Sequence, residues 1–202
     1  DSNYFSSQNF SSKVFHLPSI RTKPPKNSAT KHCDIGIIGS WTWKANKSGL
    51  EWFFQAVYPH LPKNVSIHIA GSGAQWLLER YPNVKYCGFV TDAQAFMASA
   101  KAIAIPSISG GGIQIKTLDA IASGSPIVAT TVAMRGILDY PSAIEIADEP
   151  EYFAGSLMKL LALSKQSDLS DKRTKLLDNR LTWSLLRREK FYSCVDSAIN
   201  SI

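Results

Sequence analysis

Short apolar runs recur along most of the chain, each followed by a polar or glycine-rich break and then by apolar residues at helical spacing. Asp34-Ile-Gly-Ile-Ile38 is such a run, closed by Gly39 and suited to a strand buried on both faces. The stretch over 48–58 then sets Leu50, Phe53, Phe54 and Val57 at helical spacing, with Pro59 as its stop. The unit repeats. A strand over 65–70, the turn Gly71-Ser-Gly73 and a helix over 74–80 come next, followed by a strand over 84–87 and a helix over 92–98. A strand over 102–105, a glycine loop and a helix over 113–122 follow, and strands over 126–129 and 143–146 with a long helix over 149–163 complete the series. Strands alternating with helices at this spacing imply right-handed crossovers. The predicted class is therefore α/β, a doubly wound, Rossmann-like parallel sheet with helices on both faces. Ligands of such sheets bind beyond the carboxyl ends of the strands, so function is expected in the loops after Ile38, Ala70, Cys87, Ile105 and Ala129.

The two ends differ in character. Residues 1–31 are rich in Ser, Asn and Pro, with one apolar piece over 14–17 and the pair Pro24-Pro25, and read as a strand remnant followed by a linker. The Rossmann-like domain is expected over 32–182 and a C-terminal helix over 183–202.

Composition narrows the function classes. With 45% hydrophobic and 19% charged residues in 202, the chain has enough apolar surface to fold, and its length suits one domain. Lys and Arg outnumber Asp and Glu by 22 to 16, and the excess sits at the ends. Arg21, Lys23, Lys26 and Lys31 lie in the opening segment, while Lys172, Arg173, Lys175, Arg180, Arg187, Arg188 and Lys190 lie near the C-terminus. Such flanks suit either a solvated surface or a contact with membrane phosphates, and a dedicated nucleic-acid groove is not expected. Three scattered cysteines and four histidines form no metal-ligand spacing, and no apolar run is long enough to span a membrane. A reduced, cytoplasmic protein is expected, with a peripheral contact on the inner face of the membrane as an option.

The strongest local signal is Pro106-Ser-Ile-Ser-Gly110-Gly111-Gly112-Ile113, which runs on through Lys116 and Asp119 to Gly124. Three glycines between a strand and a helix let the backbone approach a ligand, and the free amides of the first helical turn favour an anion. Lys116 and Asp119 share one helical face, so the first can meet phosphate and the second a sugar's vicinal hydroxyls. Two familiar phosphate motifs fail here. Position 115 is Ile where a Walker A loop needs Gly, and Gly71-Ser-Gly73 is followed by Trp76 where a dinucleotide fingerprint needs its third Gly. The loop from Gly39 through Ser40, Lys44, Asn46 and Lys47 is a second anion candidate, because its donors open a helix. Asn46 suits either that role or a helix cap, and Trp41 and Trp43 suit either stacking on a ring or packing against a neighbouring segment.

Read together, these stretches resemble the C-terminal, donor-binding domain of a GT-B glycosyltransferase of the family 4, group 1 type. The resemblance runs from about Cys33 onward. It is carried by residues 37–53, 69–73, 84–92, 110–124 and 126–130, with Ala147 to Ala154 and Trp183 as later matches. It implies binding of a nucleotide-sugar such as a UDP- or GDP-sugar, with no cofactor and no essential metal. The sugar would pass to an unknown acceptor, a glycan, a lipid-linked sugar or a protein, in polysaccharide (exopolysaccharide), glycolipid or glycoprotein synthesis. The enzyme type implied is a hexosyltransferase, of which this chain is the donor-binding half. An N-terminal GT-B domain or partner subunit would complete the cleft, and the last helix would cross back to it.

Carried over by residue, the resemblance gives a donor site of Gly39, Ser40, Lys44, Lys47, Gly71, Val90, Gly110, Gly111, Gly112, Ile113, Lys116 and Asp119. Gly110 to Gly112 would hold the diphosphate or sugar, Asp119 the ribose, and the backbone over 88–90 the base. Two departures stand out. Gly111 occupies the place of the family's first motif Glu, so no catalytic residue is assigned, and the Arg usual after the first-strand glycine is absent, leaving Lys44 or Lys47 as substitutes. The alternative function is a non-catalytic nucleotide-sugar-binding subunit, or a regulatory half that needs a partner domain.

Overall fold

A computed structural model describes residues 30–138, 140–141, 144–164 and 169–200. Six strands form one sheet: β1 (Cys33–Ile38), β2 (Ile67–Ala70), β3 (Val84–Gly88), β4 (Ala100–Ile105), β5 (Ile127–Ala129) and β6 (Ile144–Ile146). All neighbours pair in parallel, in the order β3-β2-β1-β4-β5-β6. The chain builds outward from β1 to β3, then returns to lay β4 on the other side of β1. This reversal opens a crevice between the carboxyl ends of β1 and β4, the place where such sheets take ligands.

The period of two in the strands divides the core between the two faces of the sheet. Ile35 and Ile37 of β1 join Ile67 and Ile69 of β2 beneath Leu50, Phe53, Phe54, Phe153 and Leu157. On the other face Ile103 and Ile105 of β4 join Ile127 beneath Met97, Leu118, Ile121 and Trp183. The covering helices are α1 (Lys44–Trp52), α2 (Ala93–Ser99), α3 (Ile115–Ala122), α4 (Pro150–Leu163) and α5 (Leu169–Ile199). Asp92 caps α2 through a 2.9 Å bond from the Ala95 amide.

Three departures from the sequence expectation bear on the carboxyl-edge loops, and a fourth lies at the C-terminal end, where the helix expected over 183–202 starts at Leu169. Helix α1 begins at Lys44, four residues before the predicted start at 48, and continues through a π turn (Phe53–Val57) into a 3-10 turn (Tyr58–His60). Its early start follows from the loop before it, where the Trp41 amide donates to Ser72 O and the buried indole to Ala70 O, both at 2.9 Å. The helix expected over 74–80 is only a 3-10 turn (Gln75–Leu77), after which Leu78 is extended and Glu79 takes a φ of 59°. Packing overrides local propensity at this point: Trp76 and Tyr81 both dock on Phe54, at centroid distances of 5.9 and 4.7 Å. Finally, α3 starts at Ile115 instead of 113, so the glycine loop is longer by two residues.

At the C-terminal end α5 runs unbroken past position 183, and the Trp183 indole donates to Leu138 O at 3.4 Å. Arg187 is buried with its guanidinium 4.8 Å from the Trp183 ring centroid, whereas Arg188 and Lys190 are exposed. The strand expected over 14–17, and the side chains of Lys172, Arg173, Lys175 and Arg180, lie outside the described residues. Among the described residues no helix is long and apolar enough to cross a membrane.

Candidate functional site

The loops that leave β1, β2 and β3 are stapled to one another. Gly39 N donates to Ala70 O at 3.2 Å, Gly71 N to Gly88 O at 2.7 Å, and the Tyr86 hydroxyl to Gly71 O at 2.8 Å. Gly71 has a φ of +106°, and a Cβ there would stand 1.7 Å from Gly39 O. Its absent side chain is thus a requirement of the loop crossing. On the other side of the crevice a Cβ on Gly49 of α1 would lie 2.2 Å from Pro106 O, so α1 rests directly on the backbone leaving β4.

Across this crevice the two predicted anion loops meet. Asn46 donates from Nδ2 to Ser40 O at 3.0 Å, and Lys116 donates from Nζ to Asn46 Oδ1 at 2.8 Å. Asn46 is therefore a bridge and not a cap; the residue at the cap of α1 is Trp43. Burial holds the Lys116 amine down to about 8, well below its ordinary 10.5, because a charged ammonium loses solvation there. Among the described residues Lys116 has no carboxylate partner.

The glycines themselves are open. A Cβ added at Gly111 or Gly112 meets nothing within 4 Å, and one at Gly110 meets only Ala45 Cβ, at 3.8 Å. Among the described residues no acceptor takes the amides of Gly110, Gly111 or Gly112, so they remain available to a ligand. Ile113 is half-buried against Gly136 of the loop after β5. One turn into α3, Asp119 is half-buried and accepts from Gln94 Nε2 at 3.2 Å.

The remaining expected positions are less convergent. Ser40 is exposed and shares a 3.1 Å bond with Thr42, Lys44 is exposed, and Val90 is half-buried in the loop after β3. Lys47 reaches Glu51 at 3.7 Å in a solvent-facing pair along α1. Among the described residues no hydrogen bond or ion pair joins the side chain of Lys44 or Lys47 to the glycine loop, and the cation bonded across the crevice is Lys116. Of the two tryptophans, Trp41 is buried in the loop staple and Trp43 is exposed.

Sequence reading missed three contributors. Gln94 fixes Asp119, Arg135 donates to the Gly110 carbonyl, and Gln114 closes the glycine loop by accepting from Ser107 Oγ at 2.7 Å and ties it to the loop after β5 by donating to Val132 O at 3.4 Å. Only Arg135 carried a signal, as a lone cation in the loop after β5.

Residues 32–163, which hold the 3-2-1-4-5-6 sheet and the open glycine loop, match the family model described as glycosyl transferases group 1. The chain belongs to this glycosyltransferase family. Solved structures of similar fold include S. aureus TarM, with a TM-score of 0.64 and 16% identity over 98% of this chain and 41% of that one. The pneumococcal O-GlcNAc transferase GtfA, solved with UDP and GlcNAc, has a TM-score of 0.63 and 14% identity over 98% of this chain and 43% of that one. Anabaena HepE, solved with UDP, has a TM-score of 0.62 and 14% identity over 83% of this chain and 48% of that one. The glycosyltransferase chain thus spans less than half the length of each of these. No curated protein sequence matches it.

Proposed function

We propose that this glycosyltransferase chain binds a nucleoside-diphosphate sugar, UDP- or GDP-linked, at the carboxyl edge between β1 and β4. The observation that carries the reading is the open backbone of Gly110 to Gly112, which leads into the helix that carries both the Lys116–Asn46 bridge and the Gln94-bound Asp119. The free amides suit the diphosphate, the ammonium neutralises part of its charge, and the carboxylate suits the ribose hydroxyls. The UDP in the solved GtfA and HepE structures supports this choice of ligand.

In transfer, the bond between the anomeric carbon and the diphosphate oxygen breaks with its electron pair remaining on the diphosphate, while the acceptor's nucleophilic atom forms the new bond to that carbon and gives up its proton. The amides and Lys116 act at that developing charge, which stabilises the departing group more than the ground state. Charge neutralisation by side chains and amides leads us to propose that no metal is needed; added EDTA then leaves donor affinity unchanged. An N-terminal domain would supply the acceptor side. Trp43, Phe89, Ile108 and Ile115, in or beside the carboxyl-edge loops, are 43 to 75% exposed, an apolar rim suited to such a cover.

Calorimetric titration with UDP, GDP and their sugar conjugates tests the reading. Binding of at least one with micromolar to millimolar affinity is expected, and no heat from any of them would overturn it.

A further inference from the structure

The loop after β5 brings a second cation to the glycine loop. Its 3-10 turn (Val132–Met134) is anchored on three sides. Thr131 donates from N and Oγ1 to the two carboxylate oxygens of Asp148 at 2.8 and 2.6 Å, and Thr117 Oγ1 of α3 donates to Ala133 O at 2.9 Å. Gln114 Nε2 adds a bond to Val132 O at 3.4 Å. Behind the turn Gly136 lies so close to Ile113 that a Cβ would stand 2.8 Å from its Cγ1. Arg135 therefore has a well-fixed backbone at the edge of the glycine loop, while its side chain is exposed and donates from Nη1 to Gly110 O.

That bond uses one of five guanidinium donors, on a neutral acceptor. Among the described residues Arg135 has no carboxylate partner, and Asp148, the acid that reaches this turn from the loop after β6, is already engaged by Thr131. Lys116 stands on the α1 side of the glycines and Arg135 on the β5 side. The two cations differ in kind. Lys116 is a point charge whose proton becomes labile near pH 8, whereas a guanidinium stays charged and offers a planar fork that matches two phosphate oxygens.

We propose that Arg135 is a phosphate-binding residue of the donor site, exchanging its bond to the Gly110 carbonyl for the diphosphate when the glycine loop is filled. This rests on the donor reading above and extends it to a residue on a different strand loop. The Arg135–Gly110 bond keeps the fork beside the three open amides, and the diphosphate completes its remaining donors.

The test measures the affinity of the whole chain, and of its Arg135→Gln and Arg135→Lys variants, for UDP, GDP, inorganic pyrophosphate, uridine and guanosine. Arg135 is exposed, so both variants are expected to keep the wild-type circular dichroism and melting temperature. Losing charge-assisted bonds to a phosphate corresponds to a fall of about tenfold to a hundredfold in diphosphate affinity for Arg135→Gln. The lysine variant is expected between the two, and nucleoside affinity is expected unchanged, which a general loosening of the loop would not leave intact. Equal diphosphate affinity in wild type and Arg135→Gln overturns the inference while the donor reading stands. Pyrophosphate binding that depends on Arg135, without nucleoside diphosphate binding, upholds the inference and removes the donor reading. If neither ligand binds, or if pyrophosphate binds regardless of Arg135, the inference falls.

Discussion

Lys116 Nζ donates to Asn46 Oδ1 at 2.8 Å, joining the first turn of α1 to the first turn of α3 across 70 positions of sequence. The bond has an amide oxygen, not a carboxylate, as its acceptor, so among the described residues the ammonium meets no full counter-charge. Burial strips that ammonium of solvation and brings its pKa down to about 8.

A pH dependence follows. A bound diphosphate raises the Lys116 value again, so binding takes up a proton above about pH 8 and affinity falls as pH rises through that point. The Lys116→Met variant supplies the flat baseline against which calorimetry between pH 6.5 and 9, on the order of this transition, is read. Identical profiles for wild type and variant would remove Lys116 from the site. The same shift acts on stability in a definite sense. The unfolded chain binds the proton at its ordinary 10.5 and the folded chain only near 8, so stability is lost as pH falls through that interval. Lys116→Met is expected to abolish this loss in denaturant titrations.

Asp119 is the second anchor of the site. Replacement by Ala is expected to weaken nucleoside diphosphate binding by about 1 to 3 kcal/mol, with little effect on inorganic pyrophosphate, because the carboxylate serves hydroxyls. Gln94→Leu removes the 3.2 Å bond that orients it and should give a smaller loss in the same direction. Unchanged affinity in a folded Asp119→Ala chain refutes the ribose role.

How much of this was legible beforehand depends on whether a residue acts through its neighbours in sequence or through distant ones. Strands buried on both faces carry their own signature, so Ile35, Ile37, Ile103 and Ile105 announced the parallel sheet. The open glycine loop was equally plain, since nothing but backbone conformation and a ligand would call for three glycines there. The segment over 74–80 misled because its course is set by Phe54, more than twenty positions upstream, onto which Trp76 and Tyr81 dock. The Asn46–Lys116, Gln94–Asp119 and Arg135–Gly110 contacts are all non-local, and no spacing rule could pair them. Trp41 and Trp43 are alternate residues of one segment, and non-local partners, the Ala70 and Ser72 carbonyls and the core beneath β1 and β2, select Trp41 as the buried one.

The amino edge of the sheet carries a charge whose effect on stability is separable from the site. Burial raises the Asp34 value, but Lys101 Nζ at 2.7 Å and two bonds from Ser66, at 2.8 and 2.9 Å, outweigh it and leave the carboxyl below its ordinary 3.8. A depressed carboxyl contributes stability above its unfolded value, and that contribution disappears as pH falls from about 3.8 through the folded value. Asp34→Asn should therefore lower stability at pH 7 and flatten its decline in acid, without changing ligand affinity. An unaltered acid limb in urea titrations would assign the loss to other groups.

The glycines at the crevice divide into those needed by the fold and those needed by the ligand, and two substitutions separate the classes. Gly71→Ala forces a Cβ to within 1.7 Å of Gly39 O at a φ of +106°, so the loops after β1 and β2 must move apart. A loss of about 3 kcal/mol or more is expected from combined overpacking and left-handed strain, read as a fall in melting temperature. Gly111→Ala meets no protein atom within 4 Å and sits outside the left-handed region, so its melting temperature should match wild type. Its new methyl group instead narrows the approach to the three open amides, and diphosphate affinity should fall while nucleoside affinity is kept. If Gly111→Ala bound diphosphate as tightly as wild type, the glycines would be there for the chain's own turn, and the amides of the first helical turn would have to act without them.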